Sequence, residues 1–356
     1  MSTAGPLPDP SARAPRANGV ATTPGLVCAH HHLYSSLARG MPAPPALPRS
    51  FPEILEQVWW RLDRALDPAM VRWSAMLGAL EALEAGTTVI LDHHSSPSCI
   101  EGSLDLVAEA CAAVGVRVRC AYEVSERHSL DEARAGLEEN ARFLRAGGRG
   151  FVGAHACFTL SDPMLAELAE LAADLDVGVH IHVAEDRCDA EAGRRLARWA
   201  RPDWLLAHCV HLDRELPGWV AHNPRSNMNN AVGYARPLRF GERVALGTDG
   251  IGADMLEEFR LAYARAREDD VTATPSAAWS WLEAGWSLAP EALEDEVVWS
   301  YAPLDPWYLA FTPGVRPVEV RVGGRTVLAG GAPVLVDAVE IRAKAAEQAE
   351  RLFARL

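Results

Sequence analysis

The sequence predicts an α/β protein: a (β/α)8 TIM-type barrel with a reduced C-terminal subdomain made of a β-hairpin and a helix. Three observations carry this. Eight short apolar runs alternate with amphipathic stretches over about 230 residues, the size and order of such a barrel. Eleven of the twelve histidines fall in six short segments, and nearly every segment closes one of those runs. Finally, no G-x-G-x-x-G or P-loop turn follows any run, which counts against the rival doubly wound sheet.

The elements follow in order. Residues 1–23 are rich in Pro, Ala and Ser and lack an apolar h-region, so a disordered leader is expected rather than a secretory signal. Strands are predicted at 26–29, 87–91, 116–120, 151–154, 177–181, 204–207, 218–221 and 243–247. Several are near-continuous apolar runs, as parallel strands covered on both faces require. Asp67-Pro68 opens a helix that Gly86 ends, and Asp162-Pro163 reads as an N-cap with Pro at the first helical position. Helical runs also fit 103–114, 130–146, 189–200 and 252–268. After residue 270 the alternation fails, and 274–315 resists assignment. Val318–Val322 and Arg325–Leu328, joined by Gly323-Gly324, read as a hairpin before a terminal helix from Ala338. The expected organisation is a leader over 1–23, a barrel over 24–270 and a C-terminal segment over 271–356.

Composition narrows the partners. The chain has 356 residues, 49% hydrophobic and 23% charged, with a net charge of −14. Such an acid balance excludes a nucleic-acid or anionic-membrane partner, both of which demand a basic face. No apolar run is long enough to span a bilayer. Seven cysteines without a C-x-x-C pair fit reduced thiols in a cytoplasmic protein.

The chemistry gathers at the strand ends. His30 and His32 are two apart and point to one strand face, so the pair can grip a cation from inside a barrel. His182 adds a third imidazole, and Glu185 follows it as a carboxylate free to act as a general base. His180 is expected to be structural. Asp249 projects from the eighth strand, where a buried carboxylate calls for a cation or, equally, caps the next helix. His208 fits a ligand, a hydrogen-bond donor to substrate or a core histidine, and His211 a surface position.

The ordered set Pro24-Gly25 leading to His30-x-His32, His182-x-x-Glu185, Ala207-His208-Cys209-Val210-His211, His222-Asn223-Pro224-x-Ser226-Asn227 and Leu246-Gly247-Thr248-Asp249-Gly250 resembles the amidohydrolase superfamily. Within it the chain looks like the cytosine/guanine-deaminase and chlorohydrolase branch, and 29–41, 86–96 and 247–258 resemble most the SsnA-type aminohydrolases. The resemblance implies one divalent metal, zinc or else iron(II), held by His30, His32, His182 and Asp249. It implies that Asp249 also takes a proton from the attacking water, that Glu185 carries one to a ring nitrogen and then to the leaving group, and that His208 hydrogen-bonds to the developing oxyanion. Arg39, His93, His94, His155 and Asn223 are the expected substrate contacts, with the Asn-rich stretch through Asn230 bordering the pocket. The polar stretch before Pro24 does not resemble the N-terminal β-structure usual in the family, so a reduced small domain is expected. The expected function is a metal-dependent deaminase that attacks a C–N bond of a purine-, pterin- or pyrimidine-like substrate. Ring opening or loss of another leaving group at the same site, and a non-catalytic metal-containing barrel, are the alternatives. A homodimer acting on a small heterocycle is expected.

Overall fold

The computed structural model describes residues 21–301 and 304–356. The leader expected over 1–20 lies outside the described residues. The strands are β1 (Ala21–Thr23), β2 (Leu26–His32), β3 (Thr87–His94), β4 (Arg117–Tyr122), β5 (Val152–Ala156), β6 (Val179–Val183), β7 (Leu205–His208), β8 (Trp219–His222), β9 (Val244–Leu246), β10 (Asp249–Gly250), β11 (Glu296–Trp299), β12 (Pro317–Val322), β13 (Arg325–Ala329) and β14 (Ala332–Pro333). The helices are α1 (Phe51–Ile54), α2 (Trp60–Ala65), α3 (Pro68–Glu84), α4 (Ser103–Val114), α5 (Leu130–Arg145), α6 (Asp162–Asp174), α7 (Ala192–Leu196), α8 (Pro224–Asn229), α9 (Met255–Asp269), α10 (Pro275–Glu283), α11 (Gly285–Leu288), α12 (Pro306–Phe311) and α13 (Ala338–Phe353).

The eight predicted strands are β2 to β9. They form two parallel sheets, β10-β2-β3-β4 and β5-β6-β7-β8-β9, in a TIM-barrel-like α/β arrangement. The sheets meet at two margins. Parallel bridges pair Cys120 with Gly150 and Val124 with Ala154, and on the other side the Thr248 amide donates to the His30 carbonyl at 3.0 Å. Small side chains line the interior: Ala29, Ala121, Ala207, Ala221 and Ala245 pack with Val27, Val89, Leu91 and Leu205 around Trp286 of α11. The Trp286 indole donates to the Gly25 carbonyl at 2.8 Å, so one end of the strands is plugged by an aromatic and the other is left for the histidines.

Close approach at the sheet junction demands glycine. A Cβ on Gly150 would stand 1.8 Å from the Cys120 carbonyl oxygen, and backbone cannot swing aside as a side chain can. Gly150→Ala is therefore expected to cost about 3 kcal/mol or more, since relieving the overlap separates β4 from the next strand. Urea unfolding measures it, and a loss below about 0.5 kcal/mol would show that the junction carries no such constraint.

The helices begin where local chemistry dictates. The Asp67 carboxylate caps α3 by accepting from the Met70 amide, and Gly86 at φ 84° follows its end. Ser161, not Asp162, caps α6, which moves Pro163 to the second helical position. The helix expected at 189–200 shrinks to a 3-10 turn, Arg187–Asp189, and the short α7. The unassigned 274–315 stretch resolves into α10, α11, β11 and α12, each helix opened by a proline except α11.

The hairpin expected at 318–328 is part of a larger antiparallel sheet, ordered β1-β11-β12-β13-β14. This corrects the expectation of a structureless leader up to residue 23. Ala21–Thr23 pairs with Val297–Trp299, and the Thr23 hydroxyl accepts from the Trp299 indole at 2.9 Å. Among the described residues, no helix is long and apolar enough to cross a membrane. All seven cysteines are free thiols.

Candidate active site

His30 and His32 reach the space between the two parallel sheets because β2 breaks its own alternation. Val27 and Ala29 face inward, so an unbroken strand would turn His31 to the centre and its neighbours away. An irregularity in the pairing between Cys28 and His31 reverses the phase. His31 then bonds Thr248 Oγ1 at 2.8 Å on the side that Cys28 shares.

The predicted ligand set assembles. One ligand atom from each of His30, His32, His182 and Asp249 lies within 4.8 Å of all the others, and all four residues are buried. His32 Nδ1 donates to the His93 carbonyl at 2.6 Å and His182 Nδ1 to the His155 carbonyl at 2.8 Å. With both rings neutral, their Nε2 lone pairs face each other across 3.2 Å. Two lone pairs at that distance repel unless a proton or a metal ion stands between them, and Asp249 Oδ1, 3.0 Å from His32 Nε2, supplies anionic charge at the same point. His30 Nε2 has no hydrogen-bond partner and aims at Asp249 from 3.4 Å, while its Nδ1 is held by His180 Nε2 at 2.8 Å. The donor set fits a divalent ion with oriented imidazoles, and His180 takes the supporting place expected of it.

A second group stands beside this cluster. Glu185, His208 and Asp249 bring carboxylate and imidazole atoms within 4.8 Å of one another. His208 Nε2 is 3.6 Å from Glu185 and 3.7 Å from Asp249. Its Nδ1 meets Asn227 Oδ1 at 2.7 Å. Burial and the charge of Asp249 push the Glu185 carboxyl well above the usual range. Burial works the same way on Asp249, but the His30, His32 and His208 rings that face it outweigh burial and hold that carboxyl well below its usual value. Two neighbouring carboxyls are thus driven apart, one toward the acid and one toward the base. The backbone here is strained: Ala184, His208, Cys209, Asp249 and Ile251 all sit at positive φ, between 46° and 70°. For residues other than glycine that conformation is costly, and it re-aims side chains at strand ends.

A cavity of about 230 Å³ opens over both groups, walled by Phe51, Leu55, Trp59, Trp60, Phe158 and Ile251. It takes in His32, His155, His182, Glu185, Asn229, Asn230 and Asp249. Of the expected substrate contacts, only His155 lines it. His93 and His94 lie behind the wall: His93 Nε2 donates to the His180 carbonyl at 3.2 Å, and His94 Nε2 meets Ser96 Oγ at 2.9 Å. Asn223 is buried against His208, with Nδ2 3.4 Å from Nδ1. His211 is partly buried and donates from Nε2 to the Val232 carbonyl at 2.7 Å. Arg39 is the clear correction. It is half-exposed, pairs with Glu81 on α3 and does not line the cavity, because β2 is followed by a 3-10 turn, Leu33–Ala38, that carries the chain away. Arg39→Ala is expected to leave kcat/KM within about twofold of wild type, as loss of an exposed ion pair should. A loss above about tenfold in steady-state assays would restore it to the site.

Sequence reasoning missed the cavity's other walls. Phe51, Leu55 and Trp59 form an i, i+4, i+8 stripe that looks like ordinary core packing, and a π-helical turn, Leu55–Trp59, adds Trp60 to it. Glu123 and Ser226 also line the cavity, and the Ser226 hydroxyl donates to Asp249 Oδ2.

A TIM-barrel-like fold whose strand ends assemble three imidazoles and a carboxylate under an apolar cavity defines a metal-dependent hydrolase. Residues 21–284 match the Amidohydrolase family. The chain is 30% identical to the 5-methylthioadenosine/S-adenosylhomocysteine deaminase of Desulforudis audaxviator, a match spanning 95% of this chain and 88% of that one. It is 33% identical to the 5'-deoxyadenosine deaminase of Methanopyrus kandleri, over 67% of this chain and 60% of the relative. Among solved structures it is similar to an adenosine deaminase from Xanthomonas campestris with bound zinc, with a TM-score of 0.78 and 23% identity, covering 94% of this chain and 86% of that one. An atrazine chlorohydrolase from Arthrobacter aurescens complexed with zinc is similar at a TM-score of 0.76 and 22% identity, covering 93% and 88%. At those identities the two structures speak to the fold alone. The chain belongs to the amidohydrolase family.

Proposed function

We propose that this protein is a zinc-dependent aminohydrolase that releases ammonia from the adenine ring of a nucleoside. The observation that carries the reading is geometric: Glu185 and His208 bring their ligand atoms within 4.8 Å of Asp249, at the edge of a buried four-residue metal site. The relatives named as deaminases of 5'-deoxyadenosine and of 5-methylthioadenosine support the ring.

His30, His32, His182 and Asp249 would hold the ion, which supplies the Lewis acidity that makes water a nucleophile at neutral pH. Asp249 Oδ2 takes the proton of the attacking water, and Ser226 keeps that oxygen oriented. Glu185 gives its proton to the ring nitrogen next to the attacked carbon, which lets the ring carry the added electron pair. The proton gathered from water then passes to the amino group, which leaves as ammonia, and the added hydroxyl returns its proton to Glu185 as the ring carbonyl forms. With Nδ1 donating to Asn227, the neutral His208 ring offers Nε2 as an acceptor, so it donates to developing negative charge only after taking up a proton.

The same reading takes the eight parallel strands as a closed barrel, with residues 24–270 as the catalytic unit and 271–356 as its flank and small β subdomain. It takes the active form as a cytoplasmic homodimer; the seven free thiols fit a reducing compartment, and the exposed aromatics Trp307, Tyr308 and Phe311 on α12 suit a contact between copies. Ammonia release from a purine, pterin and pyrimidine panel, measured alongside the metal content of the purified protein, tests the function. Turnover of purine nucleosides with about one zinc per chain is the expected result. A ring-opened product without ammonia, or a metal-free active protein, would refute it.

A further inference from the structure

Two arginines come close to the substrate cavity, and both are already engaged. Arg127, on the loop after β4, is almost fully buried and donates to Glu123 Oε1 at 2.6 Å, to Asp63 Oδ2 and to Ser95 Oγ at 3.0 Å. Its guanidinium lies 5.4 Å from the centre of the Trp60 ring, just behind the aromatic wall. Asp63 and Glu123 together cancel more than its charge. Arg225, which does line the cavity, donates to Glu258 Oε1 at 2.7 Å and to the Thr248 carbonyl at 3.2 Å. Five acidic side chains line the same space: Glu123, Glu185, Asp186, Asp189 and Asp249. Asp186 is partly exposed, at the rim. Among the described residues, Arg225 is the one arginine or lysine in the lining and it is matched by Glu258; Glu123 is paired with Arg127, Asp249 would be offset by the ion it holds and Glu185 by its proton, which leaves the Asp186 carboxylate at the rim. The rest of the wall is apolar and aromatic apart from three histidines and the neutral polar groups of Ser35, Ser226, Asn229 and Asn230.

An anion entering this space would shed much of its water and meet no unpaired arginine or lysine, with the Asp186 carboxylate at the rim to pass. We propose that the pocket admits nucleosides whose 5' substituent is uncharged and rejects those whose 5' substituent bears a phosphate, with Asp63 and Glu123 excluding anions by sequestering Arg127. This rests on the nucleoside reading above and narrows it.

The test compares kcat/KM for ammonia release by the metal-loaded enzyme on 5'-methylthioadenosine, adenosine and adenosine 5'-monophosphate, at low and high salt. The monophosphate should fall at least about 100-fold below 5'-methylthioadenosine, and salt should narrow the gap by screening the rim. A monophosphate turned over as well as the neutral nucleosides would overturn the selectivity while leaving the deaminase reading intact. No ammonia from any of the three would overturn that reading, and this inference with it. In Asp63→Asn, where one claim on Arg127 is removed, the ratio of monophosphate to methylthio kcat/KM should rise about tenfold. An unchanged ratio in a folded, metal-replete variant would refute the sequestering role, and the wild-type comparison decides the selectivity whether or not the variant folds.

Discussion

Glu185→Gln is expected to lower kcat by about 10³-fold while leaving fold and metal content as in wild type, within the range that positioned acid–base groups supply. The substitution keeps the shape of the side chain and its contact with Asn230, whose Nδ2 lies 3.5 Å from Oε1. What it removes is a transferable proton. Glu185 is not among the four residues with atoms around the metal position, so its loss should spare the ion. It lies beside Asp249, where burial and that neighbour's charge push its carboxyl above the usual range and favour the acid form. Deleting the proton should therefore act on the chemical step and leave KM within a few-fold. Single-turnover ammonia release with parallel metal analysis would show this. A variant with normal kcat would mean that the ring nitrogen is protonated by another group, His208 being the nearest candidate, and the division of labour proposed here would fail.

The fold and the metal centre were legible for the same reason: each left a local mark. Apolar runs such as Thr87–Leu91 can only be buried strands, and histidines closing those runs must face one end of a parallel barrel. His30, His32, His182 and Asp249 sit where that logic puts them, though the route for His30 and His32 was not legible. Simple alternation from Val27 and Ala29 aims His31 inward, and only the irregularity before His31 corrects it. What left no local mark was missed. Asp63, Glu123 and Arg127 meet from different segments, and no spacing relates a carboxylate on α2 to a guanidinium after β4. Arg39 is expected at the pocket from the family resemblance alone, and the 3-10 turn Leu33–Ala38 that carries it to Glu81 instead leaves no mark in the sequence. Ala21–Thr23 reads as leader because three residues cannot show a period; its strand state comes from the partner, β11, nearly three hundred residues away.

Removing the metal is expected to have the largest effect of all, and on two separate readouts. Dialysis against a chelator should abolish ammonia release, and zinc alone should restore it. Stability should fall as well, because without the ion the buried Nε2 atoms of His32 and His182, 3.2 Å apart, must share a proton or repel, and the His30 Nε2 has no hydrogen-bond partner. An ion present at a thousand times its dissociation constant stabilises the fold by about 4 kcal/mol, so a fall of several degrees in Tm is the expected scale. His182→Ala separates the two consequences. It removes one ligand and relieves the opposed lone pairs, so it should bring zinc below about 0.1 equivalent per chain, eliminate turnover and make Tm insensitive to added zinc. His180→Ala supplies the contrast: it lies one layer deeper and holds His30 Nδ1 at 2.8 Å, so zinc binding should weaken by about 10- to 100-fold and be recovered at high zinc. Retention of a full equivalent of zinc by His182→Ala would show that the ion is held by a different set. The cluster of His32, His93, Glu123 and His182 is the alternative whose ligand atoms also lie within 4.8 Å of one another. That set shares His182, so only a site built on residues outside both clusters could survive its loss.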